Sequence, residues 1–140
     1  MNDTRPAWNP GDELESRTLS PITRSQLERY ADASGDRNPI HTSDEAAEEA
    51  GLSGIIAHGM LTAATMSLLF SSYLKHGYVR EFYARFSGMV YLGDELTVGG
   101  RTIGAKDTDE GCLYDFEVYT NRGEESVASG TVGFLVYEDR

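Results

Sequence analysis

The hydrophobic pattern of the chain changes period near residue 77. Before that point apolar residues recur at helical steps. Thr23 with Gln26 forms a capping-box pattern, and Ile22 precedes it as a staple for Leu27. Leu27, Tyr30, Ala31 and Ser34 then keep helical spacing up to a stop at Gly35. Ser43 caps a short acidic helix through Ala50, closed by Gly51. Met60 to Lys75 is the strongest helical segment: Leu61, Ala64, Thr65, Leu68, Leu69 and Ser72 repeat at steps of three and four. Met60, Met66 and Phe70 make it apolar on most sides, which predicts a buried helix. His76-Gly77 ends it. Beyond it, Val79–Leu92, Glu95–Ala105, Leu113–Thr120 and Val127–Tyr137 are rich in β-branched and aromatic residues, with polar and glycine-containing breaks between them. In Leu113–Thr120, Tyr114, Phe116, Val118 and Thr120 share one face, while Asp115, Glu117 and Tyr119 share the other. A further short strand is expected at Leu14 to Leu19, ended by Ser20-Pro21.

Four successive strands with short turns predict an antiparallel meander. A helix apolar nearly all round must be wrapped by that sheet, which gives an α+β fold of the single hotdog type: a curved antiparallel sheet around a long central helix. A curled sheet leaves edge strands, and pairing two copies edge to edge removes them, so a homodimer is expected. Residues 1–12, with Pro6, Pro10 and Gly11, read as an irregular lead-in. Residues 13–140 read as one domain.

Composition narrows the partners. With 39% hydrophobic residues the chain suits a folded globule, and its net charge of −11 disfavours nucleic acid and anionic membrane. No apolar run approaches the roughly 18 residues of a membrane span. The first residues carry no signal-peptide pattern, and the single cysteine, Cys112, forms no internal disulfide, so a reducing cytoplasm is expected. The basic residues are ten Arg and two Lys, of which Arg80 and Arg85 are the candidates for meeting an anionic carrier. The three histidines, at spacings of 17 and 18, make no usual metal-ligand pattern, so no metal is expected.

The chemistry concentrates in Ser34-Gly35-Asp36-Arg37-Asn38-Pro39-Ile40-His41. Pro39 keeps the segment out of a regular helix, so Asp36 and His41 stand in a loop as a carboxylate and an imidazole. His58-Gly59-Met60-Leu61 opens the apolar helix, where backbone N–H groups are available to an oxyanion. A base, an acid and an oxyanion site are the parts needed for proton chemistry beside a carbonyl. Asn38 is placed to bond the loop backbone and fix the separation of the pair.

Tyr30-Ala31-Asp32-Ala33-Ser34-Gly35-Asp36-Arg37-Asn38-Pro39-Ile40-His41 resembles the hydratase signature of the MaoC-like (R)-specific enoyl-CoA hydratases and 3-hydroxyacyl-thioester dehydratases. Ile56-Ala57-His58-Gly59-Met60-Leu61-Thr62 and Arg85-Phe86 with Gly93-Asp94-Glu95-Leu96 are similar to later blocks of that family. The resemblance implies reversible syn addition of water to a trans-2-enoyl thioester, carried by CoA or acyl carrier protein, giving the (R)-3-hydroxyacyl product. It implies Asp36 and His41 as the catalytic pair and Gly59 as the oxyanion donor, supported by Asn38 and Ser67. It further places Arg85, His58 and Met60 beside the substrate, with His58 also reading as a residue that shapes the helix start. No separate cofactor is implied, because CoA or phosphopantetheine is part of the substrate. Where many relatives carry a proline-containing turn after Arg-Phe, this chain has Ser87-Gly88-Met89-Val90-Tyr91.

Two other functions compete. A hotdog thioesterase places a carboxylate on or near the central helix, whereas no Asp or Glu occurs between Glu49 and Glu81. A non-catalytic acyl-binding subunit of a hetero-oligomer tends to lose the acid–base pair that this chain retains.

Overall fold

The computed structural model describes residues 4–138; residues 1–3 of the expected lead-in and 139–140 lie outside it. Five strands form one antiparallel sheet in the order β1-β3-β4-β5-β2: β1 (Glu13–Thr18), β2 (Gly77–Phe86), β3 (Thr97–Asp107), β4 (Gly111–Arg122) and β5 (Glu125–Tyr137). Three α-helices precede β2: α1 (Arg24–Ser34), α2 (Asp44–Glu49) and α3 (Gly59–Ser67). The alternation in β4 is observed, with Tyr114, Phe116, Val118 and Thr120 buried against α3 and the rest of the core. One core cluster joins Met66, Leu69 and Phe70 to the inner face of the sheet. Trp8, from the irregular residues before β1, closes the end of that cluster with edge contacts to Tyr73, Tyr114 and Phe116.

Strand order corrects the expected four-strand meander. β3, β4 and β5 run in sequence, but β2 pairs with β5 and is an edge. Two features carry the chain away after Phe86. The Ser87 and Gly88 amides both donate to Val127 O, which ends the ladder. Val90 to Leu92, expected inside the strand, instead bond to a different segment: Ala57 N donates to Val90 O and Leu92 N to Ile55 O. β3 accordingly begins at Thr97 rather than Glu95. Bulges at Arg80 in β2 and Ile103 in β3 bend the sheet around α3.

The long helix expected from Met60 to Lys75 is also corrected. It is α-helical from Gly59 to Ser67 and then tightens to a 3₁₀ helix over Leu68–Tyr73. The hydroxyls of Thr65, Ser67 and Ser71 donate to the carbonyls three residues back, at Thr62, Ala64 and Leu68, and such local bonds draw a helix into a tighter turn. Nor is the helix wrapped on all sides. Thr62, Ala63, Thr65 and Met66 are buried, but Met60 is 67% exposed and Leu68 is open, leaving an apolar stripe along one side.

α1 follows its sequence signals closely. Thr23 Oγ1 accepts from Gln26 N, Ile22 and Leu27 are both buried in one cluster, and Gly35 ends the helix in the left-handed conformation at φ 79°. α2 is capped by Ser43 Oγ on Ala46 N. These two helices bracket the loop that carries Asp36 and His41.

Candidate active site

The loop from Ser34 to His41 is held by three successive turns in which a side-chain oxygen accepts from the amide two residues on. Ser34 Oγ accepts from Asp36 N at 3.1 Å, Asp36 Oδ1 from Asn38 N at 3.2 Å, and Asn38 Oδ1 from Ile40 N at 3.3 Å. Pro39 then starts a single 3₁₀ turn that ends at His41. The relay uses Oδ1 of Asp36 and leaves Oδ2 facing Nε2 of His41 at 3.9 Å. Asn38 therefore fixes the shape of the loop through backbone bonds, as its position suggested.

The second ring nitrogen of His41 fixes which edge of the ring meets Asp36. Nδ1 lies 2.8 Å from Ile56 O, a carbonyl that can only accept, so Nδ1 carries the proton and the neutral ring presents a lone pair at Nε2. The separation of 3.9 Å from Asp36 Oδ2 exceeds a direct hydrogen bond and matches a span that one water bridges. A water placed there would donate one hydrogen to each acceptor and keep its own lone pairs free. His41 is buried, with a side chain 7% exposed, whereas that of Asp36 is 54% exposed. One member of the pair sits inside the protein and the other opens to solvent.

His58 and Gly59 bring the start of α3 to this loop. His58 Nε2–H donates to Asp36 O at 3.0 Å, and the His58 ring stacks on His41 with centroids 3.9 Å apart. His58 is the N-cap of α3 but makes no side-chain capping bond. Among the described residues, the amides of Gly59 and Met60 have no hydrogen-bond partner, while Leu61 N and Thr62 N both reach His58 O. Two free N–H groups at a helix start form an anion-binding position. A Cβ placed on Gly59 would meet only the Phe86 ring, at 3.5 to 3.7 Å, which is ordinary contact. The fold itself thus tolerates a side chain at 59, and the open backbone serves whatever approaches from outside.

Asp36, His41 and His58 each have a potential metal-ligand atom within 4.8 Å of the others. Their geometry does not suit a metal. The two rings lie 25° from parallel and are stacked, so their in-plane lone pairs run side by side instead of converging on a point about 2.0–2.1 Å from each.

Three expected site residues require correction. Ser67 is in the last turn of α3, roughly 12 Å along the axis from Gly59 at 1.5 Å per residue. Its hydroxyl donates to Ala64 O and supports the helix end rather than Asp36. Arg85 precedes Phe86 in β2, and because Phe86 faces Gly59, strand alternation turns Arg85 to the opposite face of the sheet. It lies there with Tyr83, Tyr119, Ser129 and Thr131. His58 is 1% exposed and does not line a substrate surface of this chain. Met60 is exposed beside the two free amides, on the rim of the site.

Supporting parts escaped sequence reasoning. Ile56 acts through its backbone: its amide donates to Ile40 O and its carbonyl receives His41 Nδ1–H. A carbonyl leaves no mark in a residue type, although the short run Ile55-Ile56-Ala57 is consistent with extended pairing. Arg122 anchors the segment that holds Ile56. It donates to Met89 O at 2.6 Å, to Asp94 Oδ2 at 2.9 Å and to Glu125 Oε2 at 2.7 Å. The bonds to Asp94 and Glu125 raise the guanidinium pKa above its ordinary value, so it stays charged.

The loop, the stacked histidines and the open helix start stand together in a hotdog-type fold, and the comparisons with known proteins agree with that fold. Residues 6–119 match the family described as the MaoC like domain, and the chain belongs to that family. It is 28% identical over 123 residues to a mitochondrial 3-hydroxyacyl-[acyl-carrier-protein] dehydratase of Arabidopsis thaliana, covering 86% of this chain and 72% of that protein. It is 42% identical over 83 residues to the fatty acid synthase beta subunit TOXC of Cochliobolus carbonum, covering 57% of this chain and 4% of that much longer protein. Among solved structures, an (R)-hydratase from A. caviae involved in PHA biosynthesis superposes with a TM-score of 0.83, covering 93% of this chain and 98% of that one at 20% identity, a likeness of fold.

Proposed function

We propose that this protein catalyses the reversible syn addition of water to trans-2-enoyl thioesters, giving (R)-3-hydroxyacyl thioesters. The observation that carries the proposal is the Nε2 lone pair of His41 facing Asp36 Oδ2 at 3.9 Å, beside the two free amides that begin α3. A water held between the pair attacks C3. As the C3–O bond forms, one O–H bond of the water breaks and its proton passes to the pair, while the electrons of the double bond move to the thioester oxygen. The amide of Gly59 holds that negative charge with the help of the helix dipole. The carbonyl then re-forms and C2 takes the proton from the pair, which returns to its starting state. Both the water and the proton come from one side, which gives syn geometry. The (R) configuration is carried over from the resemblance of the Tyr30–His41 segment.

CoA or the phosphopantetheine of an acyl carrier protein enters as part of the substrate, and the scheme uses no separate cofactor and no metal. We further propose a cytoplasmic homodimer joined at β2, the edge strand that leaves Phe82, Tyr83 and Phe86 exposed. The test is loss of the conjugated-thioester absorbance of crotonyl-CoA. The expected result is hydration that Asp36→Asn and His41→Ala each slow by about a hundredfold or more. Release of free CoA at the rate of absorbance loss identifies a thioesterase instead, and full activity in both variants removes the pair from the chemistry.

A further inference from the structure

We infer that His58 is a positioning residue that fixes the catalytic pair and keeps the oxyanion amides open, without touching substrate. The inference rests on the hydration reading above and deepens it. His58 meets every part of the site at once. Its Nε2–H donates to the backbone carbonyl of Asp36, its ring stacks on His41 at 3.9 Å, and its own backbone is the N-cap of α3. Tyr30 packs edge-on to it at 4.8 Å. At 1% exposure the side chain has no route to a ligand.

The choice of histidine at an N-cap is itself informative. Ser, Thr, Asp or Asn there accepts from the amide two or three residues on. That bond would compete for the helix start at which the thioester oxygen arrives. The His58 ring turns away from its helix and donates to Asp36 O, so the position is filled without capping the helix through its side chain. The remaining nitrogen, Nδ1, is buried and has no partner. Toward the loop the His58 side chain thus acts as a fixed N–H donor, held in place by its stack on His41.

The test compares His58→Gln with His58→Met. These side chains have nearly the same length and shape, and only glutamine carries an N–H to the position of Nε2. The expected result is kcat within about threefold of wild type for glutamine and lowered about tenfold or more for methionine, with KM unchanged in both. The methionine effect should shrink to less than about threefold in an Asp36→Asn background, because residues that act as one unit are not additive. A residue that merely stabilises the fold would give the same loss in both backgrounds. Equal kcat for the two variants, or a loss that persists in full beside Asp36→Asn, overturns the inference. If the methionine variant does not fold, the glutamine variant decides alone: a kcat as low as that of Asp36→Asn overturns it, and near wild-type kcat supports it.

A readout independent of activity separates this inference from the hydration reading. The Asn38 amide, bonded to Asp36 Oδ1, should exchange with solvent about tenfold faster in His58→Met than in His58→Gln. Absence of hydration in the wild type with that exchange difference present refutes the reaction and leaves the positioning role standing. Equal exchange in the two variants refutes the positioning role.

Discussion

His41 and Ile56 are joined by a hydrogen bond of 2.8 Å from Nδ1–H to a backbone carbonyl, and that bond determines which nitrogen of the ring faces Asp36. Ile56 is itself held from the other side, since its neighbours Ile55 and Ala57 bond to Leu92 and Val90. The orientation of the base thus depends on a segment that crosses the sheet between β2 and β3.

Arg122→Ala tests that dependence. The side chain ties Met89, Asp94 and Glu125 together, and its loss leaves the partly buried Asp94 carboxylate without its cation, held only by the Tyr91 amide. Charge-assisted bonds of this kind are worth about 1.5–3 kcal/mol each, so a loss of roughly 2 kcal/mol in denaturant unfolding is expected. Turnover per folded molecule should fall as well, because the loop between Met89 and Asp94 no longer fixes Ile56. Unchanged turnover would separate this anchor from the site.

Gly59→Ala should divide stability from activity. Gly59 is the first residue of α3, where alanine gains less than the roughly 1 kcal/mol of a helix interior, and its Cβ meets only the Phe86 ring, so the melting temperature should hold. Hydration should fall about tenfold or more if this amide is the proposed oxyanion donor, since the methyl group crowds the approach to it. A variant that keeps full activity would place the oxyanion elsewhere.

Asn38→Ala removes the acceptor for Ile40 N from the relay that shapes the loop. We expect kcat to drop about tenfold with KM little changed and a stability loss near 1 kcal/mol, the usual scale for one such bond. Steady-state kinetics alongside denaturant unfolding checks both parts.

Phe82→Glu examines the edge. Phe82 is exposed on β2, a strand that lacks a neighbour on one side. A charge there should convert a dimer to a monomer in sedimentation equilibrium. A wild-type protein that sediments as a monomer under the same conditions sinks the dimer.

Local signals were readable to the extent that they act locally. The Thr23 cap, the Gly35 stop, the Ser43 cap and the alternation of β4 are all decided by neighbours in sequence, and each appears as expected. The Asp36–His41 pair was legible for the same reason, because three side chains within that loop shape it. One failure depends on distant partners, and another on hydroxyl bonds that apolar periodicity does not register. Strand periodicity in Val79–Leu92 gave no hint that Val90 and Leu92 would bond to Ile55–Ala57 instead of continuing the ladder. The apolar run from Met60 to Lys75 did not reveal the hydroxyl bonds that tighten its second half. Motif position points to Ser67, and motif position and charge point to Arg85, but helix length and strand alternation carry both away from Asp36.

The relay from Ser34 to Ile40 makes the reactive loop nearly autonomous, tethered to the rest of the fold mainly through Ile56 and His58. Under the proposed hydration, residues elsewhere along α3 and the sheet are then at liberty to drift and reshape the acyl pocket while the Asp36–His41 geometry stays put. A stretch of seven residues can in this way keep its shape while the surface around it changes.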